Sequence, residues 1–333
     1  MNRAFYKIFK DYQEISVRYD ARHRAIWFYY NPAPRPCFSM TVLKEVRQVQ
    51  EDIVAYFKND HIGSESHVQY LIIGSQIPDI YNLGGDLTLF VKLIKEQNRH
   101  QLLEYAKQCI DICYHNAVNL HLPITTISLV EGTALGGGFE SALSSNIMIA
   151  TENSKMGFPE IRFNLFPGMG AYSLLARIVG MTVAEKMIAG GEVYSGRELY
   201  DMGIVDHLVE NDNIQENVEK FLKQHRRLGN GRRALQQVRQ RYSPIDYQEL
   251  SEITEIWVDA ALRLEDKDLR MMDRLVKAQL AKVTPGEENK MSLLRTRQDR
   301  RFVSEDKSFP LTDWAGDVVV SDRRENRDRR LSS

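Results

Sequence analysis

The stretch Ile124-Thr125-Thr126-Ile127-Ser128-Leu129-Val130-Glu131-Gly132-Thr133-Ala134-Leu135-Gly136-Gly137-Gly138-Phe139-Glu140 begins as a short apolar run and ends in three glycines before a helical pattern. Its first seven residues predict a buried strand, Ile124–Val130. Glycines ahead of a helix let the chain turn sharply and expose backbone N–H groups to a ligand. The same order occurs twice more. Val68–Gly74 leads through Ser75–Gly85 to a helix starting near Asp86, and Ile147–Ala150 leads through Thr151–Gly157 to Phe158. Strand, loop and helix in repetition predict an α/β core with its sites at the strand-to-helix loops.

Upstream, Gln13–Asp20 and His23–Tyr30 alternate around Asp20–Arg22 and predict a β-hairpin. Pro32, Pro34 and Pro36 end it, and the apolar spacing of Met40–Phe57 is helical. After Gly168 the pattern predicts helices at Ala171–Val179, Val183–Ala189 and Gly196–Met202, then a strand at Ile204–Val209. Amphipathic helices are expected at Ile214–Leu228, Arg232–Arg241, Ile245–Leu264 and Lys267–Lys282. Composition changes at Thr284-Pro285-Gly286, beyond which apolar periodicity fades apart from Trp314–Val320. The expected organisation is an α/β core over 1–209, a helical region over 210–284 and a charged tail over 285–333, outside the core.

The 333 residues suffice for a sizeable core, and 43% apolar with 27% charged residues marks a globular chain. The 44 basic and 45 acidic side chains nearly cancel, so no global field draws nucleic acid or an anionic membrane. No run reaches the roughly 18 to 20 apolar residues that span a bilayer. Met1–Asp20 lacks the pattern of a signal peptide, and three cysteines (Cys37, Cys109 and Cys113) fit a reducing compartment. A cytoplasmic location is the expectation. Cys109 and Cys113, with His115 and His121 near, fit a helix face rather than a zinc site, so no metal or cofactor is expected.

Four features carry the chemistry: Gly84-Gly85-Asp86, Gly136-Gly137-Gly138-Phe139-Glu140, Phe158-Pro159-Glu160 and Phe166-Pro167-Gly168-Met169-Gly170. Two glycine loops on adjacent strands could aim two N–H donors at one oxygen, an oxyanion hole. Glu140 and Glu160 would bring a general acid and a general base to the same cleft. Neither glycine loop has the spacing of a nucleotide fingerprint. Taken singly, each element also fits an ordinary turn or helix start.

Together, in this order and spacing, these motifs and Leu175-Ala176-Arg177-Ile178-Val179-Gly180 resemble the crotonase (enoyl-CoA hydratase) superfamily over about Ile15 to Lys282. With Tyr81–Leu87 and both glutamates, the chain is similar to the diffusible signal factor (DSF) synthase branch. The resemblance implies an α/β, crotonase-like spiral of strand-strand-helix repeats with a C-terminal helical region. It implies dehydration of a 3-hydroxyacyl thioester and hydrolysis to a free cis-2-unsaturated fatty acid. Gly85 and Gly137 would hold the thioester oxygen. Glu160 would take the C2 proton and Glu140 protonate the departing hydroxyl, with the reverse allocation open. Met169, Trp257 and Leu275 match the branch's acyl-chain pocket. Acyl carrier protein as donor, a sensor kinase receiver domain as partner and a homotrimer are further implications.

Two departures stand out. Leu87-Thr88-Leu89-Phe90 follows Asp86 where many relatives carry a basic residue for the nucleotide of coenzyme A, and this suits a carrier with only a phosphopantetheine arm. Asn164 stands where the superfamily often has glycine, so that loop is expected to differ. A hydratase or isomerase of coenzyme A thioesters is the nearest alternative; a non-catalytic protein binding acyl chains or a signalling kinase is the alternative of another class.

Overall fold

The computed structural model describes residues 3–59, 68–283, 311–312 and 318–319. Residues 1–283 form one compact unit and 284–333 a second. In the second, Leu311–Thr312 pairs antiparallel with Val318–Val319; the rest of the expected charged tail lies outside the described residues.

In the first unit, helix α1 (Arg3–Lys7) precedes the hairpin β1 (Ile15–Asp20) and β2 (Ala25–Tyr30), and α2 (Met40–Asn59) follows the proline loop. Next come β3 (Tyr70–Ser75), β4 (Ile80–Asn82), α3 (Leu87–Lys95) and α4 (Arg99–Ala117). The unit repeats as β5 (Thr125–Val130), β6 (Thr133–Leu135) and α5 (Gly137–Leu143). It repeats again as β7 (Ile147–Thr151), β8 (Lys155–Gly157), a 3-10 turn at Pro159–Phe163 and α6 (Ala171–Val179). Then follow α7 (Met181–Gly190), β9 (Val193–Ser195), α8 (Gly196–Asp201) and β10 (His207–Val209). Helices α9 (Ile214–Arg227), α10 (Gly229–Tyr242), α11 (Tyr247–Ala261) and α12 (Asp266–Val283) complete the unit.

The first strand of each repeat joins a six-stranded sheet, ordered β1-β2-β3-β5-β7-β10; the second joins a four-stranded sheet, β4-β6-β8-β9. This is the expected strand-strand-helix spiral. From β2 to β10 the large sheet is parallel. All six residues of β5 are buried, as in a strand covered on both faces, the hydroxyl-bearing Thr125, Thr126 and Ser128 included. One face of the sheet, with Ile26, Phe28, Leu71 and Ile73, joins the main core. The other, with Trp27, Ile72, Ile127 and Ile149, packs under Val218 and Leu222 of α9.

Helix α10 is amphipathic but turned over. None of its residues is buried, and Leu235, Val238 and Tyr242 are exposed. Its inner face is polar: Gln236 Nε2 donates to the Ile124 carbonyl at 3.2 Å and to Asn146 Oδ1 at 2.8 Å. The cause is local. The amino ends of β5 and β7 present backbone and amide acceptors that need donors more than they need apolar cover.

Candidate active site

The first loop is tied down from several directions. Asn82 Oδ1 accepts the N–H of Gly84 at 2.8 Å, bending the chain after β4 into a residue with φ of +95°. A side chain there would meet the Leu135 carbonyl at 2.8 Å and the nitrogen of Gly137 at 3.1 Å, so glycine is required. Asp86 caps α3, accepting from the N–H groups of Thr88 and Leu89. Arg35, from the proline loop, pairs with Asp86 at 2.8 Å and donates to Thr88 Oγ1 at 2.7 Å. The Tyr105 hydroxyl donates to the Phe38 carbonyl at 2.6 Å and accepts the Asp86 N–H at 3.1 Å, while Phe38 N–H donates to the Gly84 carbonyl. Gly85 therefore sits in a clamped segment.

The second loop comes alongside it. Gly137 opens α5, where a helix's first N–H has no intrahelical acceptor. A Cβ built on Gly137 would lie 3.5 Å from the nitrogen of Gly85. The two amides are neighbours.

One turn into α5, Glu140 is 1% exposed and its Oε1 accepts the N–H groups of Met169 at 2.6 Å and Ala171 at 2.9 Å. Glu160 follows Pro159 in the 3-10 turn; its Oε2 is buried with no hydrogen-bond partner among the described residues. Glu160 Oε1 fills the space that a side chain on Gly136 would take. Burial pushes both carboxyls above the usual carboxylate range. The two N–H bonds pull Glu140 back down, whereas the neighbouring Glu140 charge pushes Glu160 further up. The pair therefore holds one proton more readily than none, and Glu160 is the better place for it. Asn164, in the left-handed region at φ +61°, ends the turn in a conformation asparagine tolerates, so the expected departure in this loop is small in backbone terms.

The protonation preference has a stability consequence. A carboxyl raised in the native state contributes stability in full below the unfolded value, and loses it as pH rises through the native value. Glutamine cannot ionise. Glu160→Gln is therefore expected to unfold at a higher temperature than the parent at pH 8, with the gap closing toward pH 4. Every tenfold gain in the native carboxyl's proton affinity is worth about 1.4 kcal/mol. A gap in melting temperature that stayed constant across that range would show Glu160 titrating as an ordinary surface acid.

A cavity of about 160 Å³ is bordered by Gly85, Gly137, Glu140, Glu160, Met169, Trp257 and Leu275. The structure thus brings together every site residue named from the sequence. Leu87 and Phe90 of α3 and Tyr105, Ala106 and Cys109 of α4 line it too. Cys109 and Cys113 are buried free thiols whose burial raises them well above the ordinary thiol range, and burial likewise takes Cys37 to about 12. Among the described residues no cluster of His, Cys, Asp and Glu could hold a metal ion, and no helix is long and apolar enough to cross a membrane.

Sequence reasoning missed Arg35, Tyr105 and the two N–H donors to Glu140. Leu87–Phe90 carries no cation, yet Arg35 reaches that loop from 51 positions upstream. Only Asn82 had a local sign: asparagine two residues before glycine is a turn signature.

A family description of enoyl-CoA hydratase/isomerase matches residues 42–283. The mitochondrial methylglutaconyl-CoA hydratase of Homo sapiens is 32% identical over 151 residues, 45% of this chain and 42% of that protein. An enoyl-CoA isomerase/hydratase of Mycosarcoma maydis is 30% identical over 178 residues, 53% of this chain and 62% of that protein. The chain's match thus spans less than two thirds of either relative. An enoyl-CoA hydratase structure from Bacillus halodurans superposes with a TM-score of 0.65 at 18% identity, covering 78% of this chain and 98% of the other. The structure of Pseudomonas aeruginosa DspI does so with a TM-score of 0.54 at 22% identity, covering 75% and 96%. These two likenesses establish the fold. The family match covers most of the chain, and this protein belongs to the enoyl-CoA hydratase/isomerase family.

Proposed function

We propose that the protein is a DSF-type synthase, which dehydrates a 3-hydroxyacyl group on acyl carrier protein and then releases a cis-2-unsaturated fatty acid. The observation that carries this reading is the pair of buried carboxyls beside two adjacent glycine amides in one largely apolar cavity. The bonding of the two acids favours the reverse of the allocation first expected. Glu140, the more readily ionised of the two because two N–H groups offset part of its burial, takes the C2 proton; Glu160, the better-protonated acid, gives its proton to the departing 3-hydroxyl, which leaves as water. The N–H groups of Gly85 and Gly137 stabilise the enolate oxygen between these events.

After dehydration Glu140 is protonated and Glu160 ionised, the states that hydrolysis needs. Glu160 takes a proton from an attacking water, the thioester C–S bond breaks, and Glu140 protonates the leaving thiolate. Both groups return to their starting states. A net proton is neither stored nor lost in the pair. Met169, Trp257 and Leu275 hold the acyl chain. The protein acts in the cytoplasm without a cofactor, as a homotrimer, and a sensor kinase receiver domain is the regulatory partner suggested by the resemblance.

The names of the sequence relatives favour a second reading, a hydratase of coenzyme A thioesters. A hydratase only equilibrates 3-hydroxyacyl and 2-enoyl thioesters. Incubation with 3-hydroxydodecanoyl carrier protein is expected to yield free cis-2-enoic acid and unloaded carrier by mass spectrometry. Product that stays entirely thioester-bound, with faster turnover of the coenzyme A form, sinks the synthase reading and leaves the hydratase.

A further inference from the structure

One cation at the mouth of the cavity, Arg162, and a row of cations along the adjoining helix α12 are not used by the chemistry inside. Ala278 of α12 is exposed and yet lines the cavity, so it stands on the rim. Helical spacing puts Arg274 one turn before it and Arg270 one turn earlier still, with Lys277 on the same flank. All three are exposed. Arg162, from the 3-10 turn, is exposed and lines the same cavity. None of these four has an ion-pair partner among the described residues.

The acids of α12 do not cancel this row. Asp268 is turned inward, accepting the N–H of Glu265 at 3.0 Å; Asp266 and Asp273 are exposed within a turn of Arg270 and Lys277, so two acids stand against the three cations of this flank and Arg162. Lys267 is engaged with Glu265 at 2.9 Å. Two apolar side chains, Ile161 and Val193, are exposed next to this rim, and Val193 also lines the cavity.

Spacing decides what such a rim fits. At 1.5 Å per residue the row from Arg270 to Lys277 runs roughly 10 Å along the helix. A single phosphate needs its donors converging on one point. A row of separated cations with apolar neighbours suits an extended acidic surface instead, and arginine beside exposed apolar side chains is the composition of a protein interface. We propose that this rim docks an acidic carrier protein: Arg270, Arg274 and Lys277 face its carboxylates while its acyl arm enters past Arg162. The proposal rests on the carrier-protein reading of the function and adds the surface that selects it.

The test compares three donors bearing one 3-hydroxyacyl group: the carrier protein, coenzyme A and N-acetylcysteamine, which lacks both protein and phosphate. For the triple variant Arg270→Glu, Arg274→Glu, Lys277→Glu, KM for the carrier substrate is expected to rise about tenfold or more with kcat nearly unchanged. The N-acetylcysteamine substrate is expected to react as with the parent protein. The parent's KM for the carrier substrate should also climb with salt, because exposed charges are screened. The milder Arg270→Gln, Arg274→Gln, Lys277→Gln variant should show the same pattern at smaller amplitude.

An unchanged KM for the carrier substrate overturns the docking surface. So does a loss shared by all three donors, which marks a damaged cavity. A loss for coenzyme A equal to that for carrier protein, with N-acetylcysteamine spared, makes the rim a nucleotide site. Parent protein that turns over no carrier substrate removes the function and the surface together; parent protein that does so, with an indifferent variant, removes the surface alone.

Discussion

Glu140→Gln and Glu160→Gln are each expected to cut turnover by about 10² to 10⁴ while the protein folds normally. Glutamine keeps the shape of the side chain, and at position 140 its carbonyl oxygen can still accept from Met169 and Ala171. What each variant loses is a transferable proton. The two are expected to differ in one partial reaction. With Glu140 as base, Glu160→Gln should still exchange the C2 hydrogen of the 3-hydroxyacyl substrate for deuterium in D2O, and Glu140→Gln should not. Exchange retained only by Glu140→Gln restores the allocation first expected from the resemblance. Near-normal turnover by either variant takes that residue out of the mechanism.

Gly136→Ala is the second large effect. Gly136 has φ of +52° and ψ of −123°, a conformation that L side chains avoid. An added methyl would occupy the place of Glu160 Oε1. The backbone strain is expected to cost about 1–3 kcal/mol of stability. The displaced carboxyl should cost about 10² in rate, the usual penalty for misplacing a reacting group by about 1 Å. Activity and melting temperature of the purified variant measure both. An alanine variant with parental kcat would show that the Gly136–Glu160 contact has no part in the chemistry.

The first strands of the repeats were legible because they are five or six residues long and buried. Thr125–Val130 stands out through its β-branched Thr125, Thr126, Ile127 and Val130 between Pro123 and Gly132. The second strands were not: Ile80–Asn82, Thr133–Leu135, Lys155–Gly157 and Val193–Ser195 are three residues each and lie within segments that read as loops. Three residues show barely one cycle of alternation, so only pairing across the sheet defines them. Helix α10 was legible as amphipathic, but the pattern alone could not say which face turns inward. Gln236 decides that through contacts with Ile124 and Asn146, some 90 to 112 positions away in sequence. The site divides likewise. Glu140 and Glu160 stand out beside their glycine and proline neighbours. Arg35 and Tyr105 act on Asp86 from separate segments, and nothing in their immediate sequence marks them.

The buried cysteines have a practical corollary in thiol reactivity. The attacking species toward a disulfide reagent is the thiolate, and its population falls as the thiol's acidity weakens and its access closes. Cys37, Cys109 and Cys113 are all buried and all held well above the ordinary range, so in the folded protein they present almost no thiolate at neutral pH. Thioester cleavage, by contrast, sets free an exposed thiol on the carrier arm with every turnover. A chromogenic disulfide reagent added to the reaction therefore reports the carrier's thiol and leaves the enzyme's own three silent. Release of the acyl chain becomes observable continuously, separated in real time from the dehydration that precedes it.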